Sequence, residues 1–98
     1  MSDVEPPKYA VRLRSRRVQR ELDRFQEGDY QRVLVRLNAL VSDPRPAGCE
    51  KLGEEIYRIR VGDIRMIYAI DDGNKRIEVG GIRRRSETTH RRIPDLFR

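Results

Sequence analysis

Arg58, Arg60 and Arg65 recur at alternate positions in the stretch from Ile56 to Ile70, and Arg83, Arg84 and Arg85 follow the next apolar run. A guanidinium grips phosphate through paired N–H donors and stacks on bases, so the chemistry these residues suit is recognition of a polyanion, with RNA or DNA the natural candidate. The Gly62-Asp63 pair reads as a two-residue type II′ turn, with Gly supplying the positive φ at its first position. That turn sets Val61 opposite Ile64, Arg60 opposite Arg65, Ile59 opposite Met66, Arg58 opposite Ile67 and Tyr57 opposite Tyr68. Tyr57, Ile59, Val61, Ile64, Met66, Tyr68 and Ile70 then share an apolar face, and Arg58, Arg60 and Arg65 share the other. A charged strand face is often no more than a solvated one. Here Arg60 meets Arg65 directly, a like-charge pairing that costs on the order of a few tenths of a kcal/mol, and phosphate binding explains that arrangement better.

The elements that position these residues follow from the rest of the chain. Residues 1–7 have no apolar periodicity and read as a frayed leader. Tyr9, Val11 and Leu13 alternate with polar neighbours and predict a strand. Ser15 is a candidate N-cap for a short helix carrying Val18, Leu22 and Phe25, with Gly28 as its stop; Asp29 is then expected to cap a second helix. That helix presents Tyr30, Val33, Leu34, Leu37, Leu40 and Val41 at i, i+3, i+4, i+7 spacing and ends at Asp43-Pro44. So short a connection predicts an antiparallel helical hairpin. After a loop from Pro44 to Gly53 and the strand pair, the turn at Asp71-Asp72-Gly73-Asn74 opens a further strand from Lys75 to Arg83.

That last strand has a phase problem. Ile77 and Val79 share a face, yet strict alternation would bury Arg83 and expose Ile82. A bulge at Gly80-Gly81 corrects it and predicts Ile82 inward and Arg83 outward beside Arg65. Leu96 and Phe97 are expected to cover a core edge. The predicted architecture is α+β, ordered β-α-α-β-β-β in a single domain over residues 1–98, with an antiparallel sheet, successive strands opposed, the helical hairpin on one face and the other face exposed.

Composition bounds the function. The chain has 98 residues and a net charge of +6, and all of its 22 basic residues except Lys8, Lys51 and Lys75 are Arg. Coding bias can raise Arg overall but does not choose faces. Cys49 is alone, which excludes an intrachain disulfide, and with one distant His90 it cannot make a metal site. No run has the length of a signal peptide or membrane span, so the expected compartment is the cytoplasm, with no membrane partner.

Leu52-Gly53, the block from Tyr57 to Tyr68, Ile82-Arg83 and Ser86-Glu87-Thr88-Thr89-His90 together resemble the RelE/ParE superfamily of bacterial toxins over nearly the whole chain. The resemblance implies the toxin of a type II toxin–antitoxin system. The RelE branch cuts messenger RNA on the 70S ribosome, and the ParE branch poisons DNA gyrase. The RelE branch is favoured by the residues filling positions 65 and 83, by the short helical hairpin and by the titratable His90. A non-catalytic nucleic-acid binder is a third alternative. By resemblance, Arg58 and Arg60 bind RNA phosphates and help activate the attacking 2′-hydroxyl, and Arg65 and Arg83 stabilise charge on the scissile phosphate; Arg84 and Arg85, bordering the arginine face, are further phosphate-binding candidates. His90 stands where such toxins usually carry a Tyr or His for proton transfer. The implied reaction is metal-independent attack of a 2′-hydroxyl on the adjacent phosphate, with no cofactor. Because guanidinium is a poor base, the base is left open between His90 and Glu87, or the rate rests on positioning by the ribosome. A small cognate antitoxin is the implied partner.

Overall fold

The computed structural model describes residues 8–85 and 93–97. Its elements are β1 (Ala10–Leu13), α1 (Arg16–Asp23), α2 (Glu27–Ser42), β2 (Glu50–Lys51), β3 (Ile56–Val61), β4 (Ile64–Asp71), β5 (Arg76–Arg84) and a 3-10 helix (Ile93–Phe97). Five strands form one sheet in the order β1-β5-β4-β3-β2. The α+β class is as expected, but the sheet is mixed, because β1 pairs parallel to β5 while the remaining pairs are antiparallel. The difference arises at β2, a two-residue strand with no periodicity to announce it. It runs antiparallel to β3, so β1 and β3 point the same way and β1 can join only as a parallel edge.

The β3–β4 hairpin has the register that its turn dictates, from Val61 opposite Ile64 to Tyr57 opposite Tyr68. Gly62 takes φ of 63°, and among the described residues Lys75 is the non-glycine position with positive φ. Asp63 therefore keeps a negative φ, as a type II′ turn requires. Tyr57, Ile59, Val61, Ile64, Met66, Tyr68 and Ile70 are all buried and join Ile77, Val79 and Ile82 beneath Val18 and Leu22 of α1 and Val33 and Leu40 of α2. Each fully buried Ile, Leu or Met contributes about 1.5–3 kcal/mol. The helices lie where expected, but their boundaries differ. α1 ends at Asp23, before Gly28, and α2 begins at Glu27 with Gln26 as its N-cap. Gly28 and Asp29 thus lie inside the first turn of α2, where a carboxylate suits the helix dipole.

On β5 the register shifts between Ile67, opposite Gly81, and Tyr68, opposite Val79, leaving Gly80 as the extra residue of a bulge. Ile82 consequently faces Met66 in the core and Arg83 faces Arg65. Neither glycine has positive φ. The lack of a side chain serves close packing instead: a Cβ on Gly80 would stand 2.6 Å from the Phe97 ring, and one on Gly81 would stand 3.5 Å from Leu96 Cδ1. Gly81 shares its face with Ile67 and Arg58, so the 3-10 helix lies on the face away from α1 and α2. There Arg14 donates to the Phe97 carbonyl at 3.0 Å. The second face is therefore covered in part, with Leu96 buried there and not at an edge of the main core.

β1 ends at Leu13, and beyond it α1 covers the open edge of β5. Arg17 Nη2 donates to the Gly80 carbonyl at 2.8 Å, and the Ile82 N–H donates to Glu21 Oε1 at 3.0 Å. Two side chains thus replace the missing strand. At the opposite end of the sheet, Arg45 bonds Asp72 at 2.9 Å and the Tyr57 hydroxyl at 3.0 Å, and Tyr9 donates to Asp72 at 2.5 Å. The Tyr68 hydroxyl donates to the Pro44 carbonyl at 2.8 Å, anchoring the loop that precedes β2.

Candidate nucleic-acid interface

The hairpin register places Arg60, Arg65 and Arg83 side by side across three strands, and Arg58 lies one pleat away on the same face. Arg60, Arg65 and Arg85 line a cleft of about 210 Å3 together with Gly62 and Asp63. Arg85 is held at its rim by the backbone, its N–H donating to the Asp63 carbonyl at 2.6 Å. Among the described residues, the side chains of Arg65 and Arg85 have no hydrogen bond or ion pair. Partial burial first, and then the charges of Arg58, Arg60 and Arg85, push the Arg65 guanidinium below its ordinary pKa. A guanidinium stays protonated even so. The cleft concentrates positive charge with little internal neutralisation, which is the electrostatic condition for anion binding.

Arg58 and Arg60 are differently placed. Glu50 on β2 stands opposite Arg58, bonding it at 2.5 Å and reaching Arg60 at 3.6 Å. Its side chain is 47% exposed, so the carboxylate borders both the arginines and solvent. The Nε of Arg58 is buried and has no acceptor among the described residues, an unmatched donor within the site. Sequence reading missed Glu50 because β2 is too short for any pattern. The sole signal was position, since a residue preceding β3 by a tight connection must come back alongside its first half.

Arg83 emerges beside Arg65 as expected, but its Nε donates to Glu21 Oε2 at 3.0 Å and its side chain is only 16% exposed. Arg84 does not join the cluster. It lies opposite Ile64 in the register and so points to the helix side of the sheet. There it bonds Asp29 at 2.5 Å and Asp63 at 3.0 Å and stacks over the Phe25 ring. The Asp29 bond is the main cause that raises its pKa. A single residue of alternation separates the two roles: Arg83 lies beside Arg65 and Arg85 lines the cleft, while Arg84 clamps the end of β5 to α2 and the hairpin turn. His90 and Glu87, the proton-transfer candidates, lie outside the described residues. Among those described, no group of three or more His, Cys, Asp or Glu is arranged to hold a metal ion. No described helix is long and apolar enough to cross a membrane.

Residues 12–89 match the model of the ParE toxin of type II toxin–antitoxin systems, and the chain belongs to that family. It is a toxin of the RelE/ParE superfamily, as the sequence resemblance implied. Its fold is similar to the RelE of the archaeal RelE–RelB complex from Pyrococcus horikoshii, at 24% identity and a TM-score of 0.71, over 83% of this chain and 99% of that one. The RelBE2 toxin–antitoxin complex of Mycobacterium tuberculosis gives 20% identity and 0.70, over 87% and 100%. The isolated Escherichia coli RelE toxin gives 16% and 0.69, over 84% and 88%. No curated protein sequence matches the chain.

Proposed function

We propose that this toxin is a ribosome-dependent messenger RNA endoribonuclease, acting in the cytoplasm and silenced by a cognate antitoxin. The observation that carries this reading is the cleft of Arg60, Arg65 and Arg85 with Arg83 alongside, a cation cluster in which Arg65 and Arg85 make no ion pair among the described residues. In this reading a 2′-hydroxyl loses its proton to a base as its oxygen bonds the adjacent phosphorus. The P–O5′ bond breaks, and the departing oxygen takes up a proton, leaving a 2′,3′-cyclic phosphate and a 5′-hydroxyl. Arg65 and Arg83 stabilise the charge that builds on the phosphoryl oxygens, an effect that requires fixed donors more than mobile ones. Arg58 and Arg60 bind neighbouring phosphates, and Arg85 narrows the mouth of the cleft. Glu50 is ion-paired with Arg58 and Arg60, which weakens it as a proton acceptor, so the proton of the 2′-hydroxyl is assigned to Glu87. His90 supplies the proton to the leaving oxygen. The reaction calls for no cofactor.

The family match favours a second reading, since its model is that of ParE. In that case the arginine face binds DNA gyrase as an inhibitor and no RNA is cut. Solved relatives of this fold occur as complexes with antitoxins, among them the P. horikoshii and M. tuberculosis pairs, which supports an antitoxin as the silencing partner. Purified protein added to programmed ribosomes, with cleavage mapped by primer extension, and in parallel to gyrase in a supercoiling assay, tests both readings. Cleavage within the ribosome-bound messenger with unchanged supercoiling is the expected result. Lost supercoiling with intact messenger would establish the second reading.

A further inference from the structure

We infer that Glu21 is a positioning residue for Arg83, fixing the plane of its guanidinium at the scissile phosphate; the inference rests on the RNA-cleaving reading above. Glu21 lies on α1, outside the arginine cleft, and its side chain is only 12% exposed. Both of its oxygens are committed. Oε1 accepts the Ile82 N–H at 3.0 Å, and Oε2 accepts Arg17 Nη1 at 2.9 Å and Arg83 Nε at 3.0 Å. A carboxylate with three donors, one of them backbone, cannot rotate, so the direction in which it holds Arg83 is set by the packing of α1 on β5. With Nε engaged, the guanidinium is oriented by one edge, and among the described residues its two Nη groups have no partner. Those groups are the ones that would form a paired contact with phosphate oxygens.

Coverage of the β5 edge alone would need only the Ile82 bond. Glu21→Gln separates the two roles, because the amide oxygen can still accept the Ile82 N–H while the amide nitrogen cannot accept from Arg83 Nε. The expected result with programmed ribosomes is a loss in the maximal rate of messenger cleavage of about tenfold or more, with KM little changed, since misplacing a catalytic group by a fraction of an ångström acts on the rate. In an Arg83→Ala background, Glu21→Gln should cause no further loss. Arg17→Gln, which removes one donor from the carboxylate and the bond to the Gly80 carbonyl while leaving the Ile82 and Arg83 bonds in place, is a second variant expected to lose rate in the same manner but to a lesser degree.

Independently of any cleavage, the Nε–H signal of Arg83 in the NMR spectrum should be protected from exchange in the wild-type protein and lose that protection in folded Glu21→Gln. Unaltered protection in the variant would overturn the positioning role even if RNA is cut. Equal rate losses with and without Arg83 would overturn it as well. A wild-type protein that cuts no messenger yet shows the change in protection would instead count against the RNA-cleaving reading alone.

Discussion

Salt dependence of RNA binding reports which arginines face the ligand. Binding to a single strand weakens with salt with a logarithmic slope of about −0.7 per phosphate neutralised, because each contact releases condensed counterions. Arg60, Arg65 and Arg85 line the cleft, and the side chains of Arg65 and Arg85 make no ion pair among the described residues. Replacing Arg65 or Arg85 with Ala should therefore make the slope shallower by about 0.7, and the double variant by about 1.4, if the sites act independently. Arg60 shares Glu50 with Arg58, so Arg60→Ala should change the slope by less. Arg84→Ala should change the slope far less than Arg65→Ala, because that side chain lies on the helix side of the sheet, held by Asp29 and by Asp63 of the turn. The assay is fluorescence anisotropy of a labelled single-stranded RNA between about 50 and 200 mM salt, a range over which the effect is large. A change for Arg84→Ala as large as that for Arg65→Ala, or an unchanged slope in the double variant, would refute the placement of the cleft.

Further predictions concern the scaffold. Gly80→Ala should displace the Phe97 ring, whose nearest atoms would lie 2.6 and 2.7 Å from the new Cβ, at a cost of about 1–3 kcal/mol in urea unfolding. Gly81→Ala should be milder, and Phe97→Ala should relieve most of the Gly80→Ala penalty; equal costs for both alanines would contradict the packing. The hydrogen bond from Arg45, and then that from Tyr9, lowers the Asp72 carboxyl from 3.8 to about 2. A depressed folded-state pKa stabilises the protein above the unfolded value, and this contribution is lost as pH falls from about 4 through about 2. The difference in thermal stability between wild type and Asp72→Asn should accordingly narrow across that interval, and a constant difference would argue against the linkage.

The hairpin was legible in full because its register depends on a local feature: Gly62 fixes the turn, and period two then assigns every face down to Tyr57 and Tyr68. The β5 bulge was legible for a related reason, since Ile82 and Arg83 conflict with Ile77 and Val79 unless one residue is extra. What the glycines do there was not, because the reason is the ring of Phe97, a contact between distant parts of the chain. The parallel pairing of β1, the strand at Glu50 and the burial of Leu96 on the second face are likewise tertiary outcomes with no periodic trace. In the site, Arg58, Arg60, Arg65 and Arg83 were found by alternation. Arg84 was grouped with Arg83 and Arg85 by adjacency, although the same alternation sends it to the helix side. Glu21 and Glu50, the carboxylates that hold the arginines, looked like ordinary surface charge until the fold brought them to Arg83 and Arg58.

The most direct test of the central claim is the chemistry of the cut ends of messenger RNA after incubation of programmed ribosomes with wild-type toxin and with Arg65→Ala. The cleft predicts a 2′,3′-cyclic phosphate upstream and a 5′-hydroxyl downstream with the wild-type protein. It also predicts loss of cleavage in the variant while its melting temperature is maintained, since Arg65 contributes no ion pair among the described residues. Cleavage persisting undiminished in Arg65→Ala, or intact messenger with the wild-type protein, would contradict it.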